Sequence, residues 1–160
     1  MNNNRKYSGQ RHHNNVSGQR STAQVKPSKP AEPLTKSNYA NLAENVMLEM
    51  SYVNQVGNRK IDLTTNKIRN LLSLTNVLYT RALQKQSEAL DEEFVSDIQY
   101  LNVRFAYEAG RDENVRNFLQ KAHILEYVKR IGTNRDELLL FCRYMESLVA
   151  YHKFYGGKDR

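Results

Sequence analysis

"TNRDELLLFCRYMESLVAYHKFYGG", residues 133–157, decides how the chain folds. Within it Leu138, Phe141, Met145, Leu148 and His152 recur at steps of three and four, which places them on one face of a helix with 3.6 residues per turn. His152 is in register with the apolar face, so it is either a bundle-facing side chain with a hydrogen-bond partner or a chemical group. Cys142 lies on the edge of the same face, ten residues and roughly 80° from His152, so the two cannot act as a nucleophile-base pair. Thr133 with Asp136 resembles a capping box that opens the helix, and Gly156 and Gly157 stop it. The remaining face carries Arg143, Glu146, Ser147, Ala150, Lys153 and Phe154. Either it is solvated, with an Arg143–Glu146 pair, or its small residues permit close approach while Arg143 and Lys153 meet phosphates.

Upstream the same period recurs. Leu42, Val46, Met50 and Val53 form a stripe that begins near Tyr39 and ends at "VGNRK". After "DLTTNKIRN", where Thr64 or Thr65 can cap, Ile68, Leu71, Leu72, Thr75, Tyr79 and Ala82 share a face. Lys67, Leu74 and Arg81 lie one below another on its flank, with Lys85 close by. "SEALDEEFV" restarts the chain with acids suited to a helix N-terminus. From about 92 to 109, Phe94, Ile98, Leu101, Phe105 and Ala109 are the buried set, and Tyr100, Arg104 and Tyr107 fall together on the opposite side. An exposed Tyr-Arg-Tyr stripe wants a partner. Gly110 fits as the C-terminal cap with Arg111 in the loop, and "DENVRNFLQKAHILEYVKRIG" gives one bent or two short helices closed by Gly132. Strand signals are missing, so the expected fold is an all-α compact bundle of about five or six helices.

The charge is unevenly spread. The 160 residues contain 24 Lys and Arg against 17 Asp and Glu, a net charge of +7. Six of those cations and one acid, Glu32, fall in residues 1–34, leaving a near-balanced body with 18 basic and 16 acidic residues. Residues 1–36 read as a disordered polar and basic arm, rich in Asn, Gln, Ser and Gly and ending in "KPSKPAEP"; residues 37–160 read as the helical bundle domain. His12 and His13 lack a second pair of ligands nearby, so no metal site and no cofactor is expected. A lone cysteine and an N-terminus without a secretory apolar segment point to a reducing cytoplasm. The apolar run Leu138 to Cys142 is too short to span a bilayer, so no membrane partner is expected. No Walker loop, GxGxxG, HExxH, CxxC or GxSxG occurs, which makes an enzyme the weaker class, and no catalytic residue is assigned.

The strings "LTTNKIRNLLSLTNVLY", "YLNVRFAYEAGRDENVRNFLQKAHIL" and "FCRYMESLVAYHKFYGGKD" resemble the small subunit of type III-A CRISPR effectors, the Csm-complex small subunit. The resemblance covers about residues 60 to 159. It implies a non-catalytic helical subunit of an antiviral ribonucleoprotein, several copies of which self-associate as a filament beside the guide-holding subunits. Its implied partners are guide RNA, target RNA and other subunits of the Csm complex, with the target backbone held without reading of its sequence. By position, it implies RNA-binding roles among Lys67, Arg69, Arg81, Arg104, Arg111, Lys121, Arg143 and Lys153. The alternative is a helical protein-protein adaptor without direct RNA contact, its basic residues only solubilising.

Overall fold

The computed structural model describes residues 30–159. His12, His13 and the rest of residues 1–29 lie outside the described residues. Among the described residues six helices form the expected all-α bundle: α1 (Tyr39–Met50), α2 (Thr65–Gln84), α3 (Glu92–Arg111), α4 (Glu113–Lys121), α5 (Ile124–Ile131) and α6 (Arg135–Phe154).

A small hairpin departs from the expectation that strands are missing. β1 (Tyr52–Val53) pairs antiparallel with β2 (Arg59–Lys60) between α1 and α2. Two residues per strand are too few for an alternating pattern to show. The turn is made locally instead: Asn54 Oδ1 accepts from the Val56 and Asn58 amides at 3.1 and 2.8 Å, and Gly57 takes a left-handed φ of 83°. Val53, expected on the α1 stripe, therefore stands exposed in β1.

Each long helix starts on a side-chain cap that satisfies a free amide. Thr64 accepts from Lys67 N–H (3.4 Å), Asp91 from Phe94 N–H (3.0 Å) and Asn134 from Glu137 N–H (3.1 Å). The last cap falls one residue beyond the expected Thr133. Gly110 does not terminate α3 either. The helix continues through it to Arg111, and Asp112, at φ −144° and ψ 123°, ends α3 while its side chain caps α4 through Val115 N–H at 3.1 Å. One aspartate serves both ends, so no glycine is needed there. The stretch after it forms two short helices, parted at His123, whose φ is 52°, and Gly132, φ 53°, closes the second.

α6 is the hub, packing against α1, α2 and α5. Leu138, Phe141, Met145, Leu148 and His152 are all buried, and so are Leu140, Cys142 and Tyr144 on the other side. Complete burial of such side chains contributes roughly 1.5–3 kcal/mol each. The Tyr144 hydroxyl, carried into this interior, donates to the Ala122 carbonyl at 3.1 Å. Beyond α6 the chain turns back: Gly157 N–H donates to His152 O (2.8 Å), Gly157 bridges Ile61 in parallel, and Thr65 N–H donates to Lys158 O (2.7 Å).

Residues 30–36 run against α5. Ala31 is buried; its N–H donates to Glu126 Oε2 (3.2 Å), and Arg130 Nη2 donates to its carbonyl (2.9 Å). The Tyr127 hydroxyl donates to Glu32 O at 2.8 Å. Among the described residues no helix is long and apolar enough to cross a membrane.

Candidate nucleic-acid interface

The eight basic residues singled out by sequence divide according to whether a carboxylate answers them. α2 and α3 lie side by side in opposite directions, and the flank of α2 that carries Lys67, Leu74, Arg81 and Lys85 faces α3. Lys67 Nζ is 2.6 Å from Asp112 Oδ2. Arg81 pairs with Asp97 and, at 3.2 Å, with Glu93; Lys85 pairs with Asp91. Three cations at one helix's start, end and cap position thus meet acids at the opposite ends of its neighbour. The Lys67 ammonium, followed by the Val115 amide, holds the Asp112 carboxyl below its ordinary range. Lys85 and the Phe94 amide do the same for Asp91, and Asp97 holds the Arg81 guanidinium firmly charged.

The two aspartates at helix starts are therefore engaged by amides and lysines. A phosphate approaching Lys67 or Arg81 has to displace a carboxylate. Arg111, Lys121 and Lys153 also have acids within 4 Å, at looser separations: Glu108 at 3.8 Å, Glu49 at 3.9 Å and Asp159 at 3.4 Å.

The other three, Arg69, Arg104 and Arg143, have no carboxylate within 4 Å among the described residues. Arg69 and Arg143 are exposed on α2 and α6. Arg143 is thus free of the Glu146 pairing that one reading of its face required. Arg104 is half-buried and lines a groove of about 250 Å³ between α2 and α3, together with Val77, Asp97 and Tyr100. Beside the groove Val77, Tyr100, Val103 and Tyr107 are each at least 58% exposed, so the two tyrosines of the expected Tyr-Arg-Tyr stripe are open surface while its arginine is half-buried. Arg111 stacks its guanidinium on the Tyr107 ring at 5.4 Å, extending that stripe by a turn.

His152 and Cys142 are structural. His152 is fully buried, and its Nε2 donates to Leu63 O at 2.6 Å. Desolvation, opposed by that hydrogen bond, lowers its pKa. Burial, with a smaller push from Glu146, raises the Cys142 thiol to about 12, so a thiolate nucleophile does not form there at neutral pH. Among the described residues no group of three or more His, Cys, Asp or Glu could hold a metal ion.

Sequence reasoning missed the basic groups near the hairpin. Arg59 lies over the Tyr155 ring at 5.7 Å, and Lys60 and Lys158 line one cavity of about 240 Å³. They meet only because the chain beyond α6 returns to Ile61, and no local pattern announces a bridge between segments so far apart.

The family model for Csm2 of type III-A matches residues 43–158. A Streptococcus thermophilus protein named CRISPR system Cms protein Csm2 is 46% identical over 126 residues, covering 79% of this chain and 98% of the relative. A protein of the same name from Mycobacterium tuberculosis is 46% identical over 99 residues, 62% of this chain and 80% of the relative. One from Enterococcus italicus is 42% identical over 99 residues, covering 61% and 71%.

Proposed function

Because the chain belongs to the Csm2 family and is a small subunit of a type III-A CRISPR complex, we propose that it is a non-catalytic part of that ribonucleoprotein. In this reading several copies stack along the guide-target duplex in the cytoplasm and hold the target RNA backbone without reading its sequence. The observation that supports backbone contact is the split among the cations. Lys67, Arg81 and Lys85 are occupied in joining α2 to α3, whereas Arg69, Arg104 and Arg143 have no carboxylate within 4 Å among the described residues. Guanidinium groups outside an ion pair suit phosphates, which are contacted bidentately and carry no base information. A non-catalytic role is supported by the commitment of Asp91 and Asp112 to capping and lysine pairing.

The open stripe of Val77, Tyr100, Val103 and Tyr107 favours a second reading, an adaptor that touches neighbouring subunits and not RNA. Reconstitution of the complex with Arg69→Gln and Arg143→Gln together separates the two. Normal assembly with weaker target RNA binding, equal for unrelated target sequences, supports backbone contact. Normal assembly with parental affinity at both low and moderate salt gives the adaptor reading instead.

A further inference from the structure

Lys60 and Lys158 are brought together by the backbone. Lys60 ends β2, one residue before Ile61; Lys158 follows Gly157; and Ile61 and Gly157 are bridged in parallel. Lys158 is fixed from the other side as well, since its carbonyl accepts from Thr65 N–H at 2.7 Å. Both side chains line one cavity of about 240 Å³, and the nearby Lys158 ammonium, with some desolvation, lowers the Lys60 pKa.

Two acids lie nearby, but neither is paired with these lysines. Asp62 shares the cavity, but its Oδ1 accepts from the Tyr52 hydroxyl at 2.8 Å. Asp159 is taken by Lys153 at 3.4 Å. Neither Lys60 nor Lys158 has a carboxylate within 4 Å among the described residues, in contrast to the lysines of the α2–α3 seam. Like charges held together cost free energy, and an anion seated between them removes that cost while gaining two charge-assisted hydrogen bonds.

We propose that Lys60 and Lys158, with the Thr64 side chain on the wall of their cavity, form a seat for one RNA backbone phosphate. A phosphodiester fits the chemistry: one negative charge, two non-bridging acceptor oxygens, and two convergent donors to receive them. This deepens the RNA-contacting reading above and rests on it. It also gives the hairpin and the returning chain a joint role, since neither lysine alone makes the seat.

The test is binding of a fluorescein-labelled single-stranded oligouridylate to the full chain across a range of salt concentrations. The parent is compared with Lys60→Gln/Lys158→Gln, and with Lys36→Gln/Lys129→Gln as a charge-matched control on two exposed lysines elsewhere. Thermal melts establish that each variant is folded. The seat variant should bind several-fold more weakly than the control, with a log K against log salt slope smaller by about 0.7, the value for one neutralised phosphate on a single strand. Lys60→Arg/Lys158→Arg should restore both. Because folding could still confound a double change, Lys158→Gln alone serves as a second variant and should show part of the same loss. Seat and control variants that lose affinity and slope equally overturn the seat while leaving RNA contact standing. Absence of salt-dependent binding by the parent overturns both.

Discussion

Lys67 Nζ stands 2.6 Å from Asp112 Oδ2, and that same aspartate caps α4 through the Val115 amide at 3.1 Å. Asp112 therefore joins three helices, whereas Lys67 joins two. Asp112→Ala should destabilise the protein by about 1–2 kcal/mol, with the lost cap providing most of it. Lys67→Ala should cost less than about 1 kcal/mol, as partly exposed ion pairs do. Urea denaturation of the two variants checks the order. Asp112→Asn, which retains a capping oxygen and frees Lys67, should bind RNA more tightly than the parent; unchanged affinity would mean that Lys67 meets no phosphate.

Two glycines of similar appearance should respond in opposite directions to alanine. A Cβ on Gly157 would enter the His152 ring, so Gly157→Ala should cost about 1–3 kcal/mol as an overpacked site. Gly110 sits inside α3 with nothing within 4 Å of its missing Cβ, so Gly110→Ala should stabilise by about 0.4–1 kcal/mol. Chemical denaturation midpoints measured side by side decide it.

Acid should weaken the fold in two stages. Burial lowers the His152 pKa below the ordinary value of about 6.5 despite its bond to Leu63, with Lys153 and Asp159 making smaller opposed contributions. Below that pH the unfolded chain takes up a proton that the folded chain refuses. Stability is therefore full above about pH 6.5 and falls as the pH drops toward the lowered folded value. Asp91 and Asp112 are also lowered, by their lysines, and their contribution disappears only below the ordinary carboxylate range. His152→Gln should remove the first stage and keep the second. A melting-temperature profile from pH 7.5 to 3 checks this, and a first stage that survives the substitution would assign it to another group.

Truncation should distinguish residues 1–29 from the short segment that follows. Removing residues 1–29 takes away most of the basic excess, so RNA affinity and salt slope should fall while the melting temperature stays put. Removing residues 1–36 also strips Ala31 and the bonds from Tyr127 and Arg130, and the melting temperature should fall by several degrees. Equal melting temperatures for the two truncations would show that the α5 contact adds nothing.

Much of the bundle was legible because its signals are local. The 3.6-residue stripes of α2, α3 and α6 sit where the chain itself puts them, and Thr64 caps within three residues. Asp112 was harder, since reading Gly110 as a stop obscured a shared cap two residues beyond it. The flank of Lys67 and Arg81 was found by helical spacing, but spacing on one helix says nothing about which neighbour it faces. The answering acids on α3 therefore came only with the fold. Lys60 and Lys158 are the extreme case, joined by a backbone bridge between distant segments.

Helix α6 supports α1 and α2, yet the ribosome makes it after both. During synthesis those earlier helices expose apolar faces for which no partner yet exists. Closure between Ile61 and Gly157 adds a long loop to the entropy that must be lost before packing rewards it. The chain is thus expected to condense late and all at once, instead of adding helices as they emerge. A translational stall before residue 135 would leave a nascent chain open to proteases and to self-aggregation.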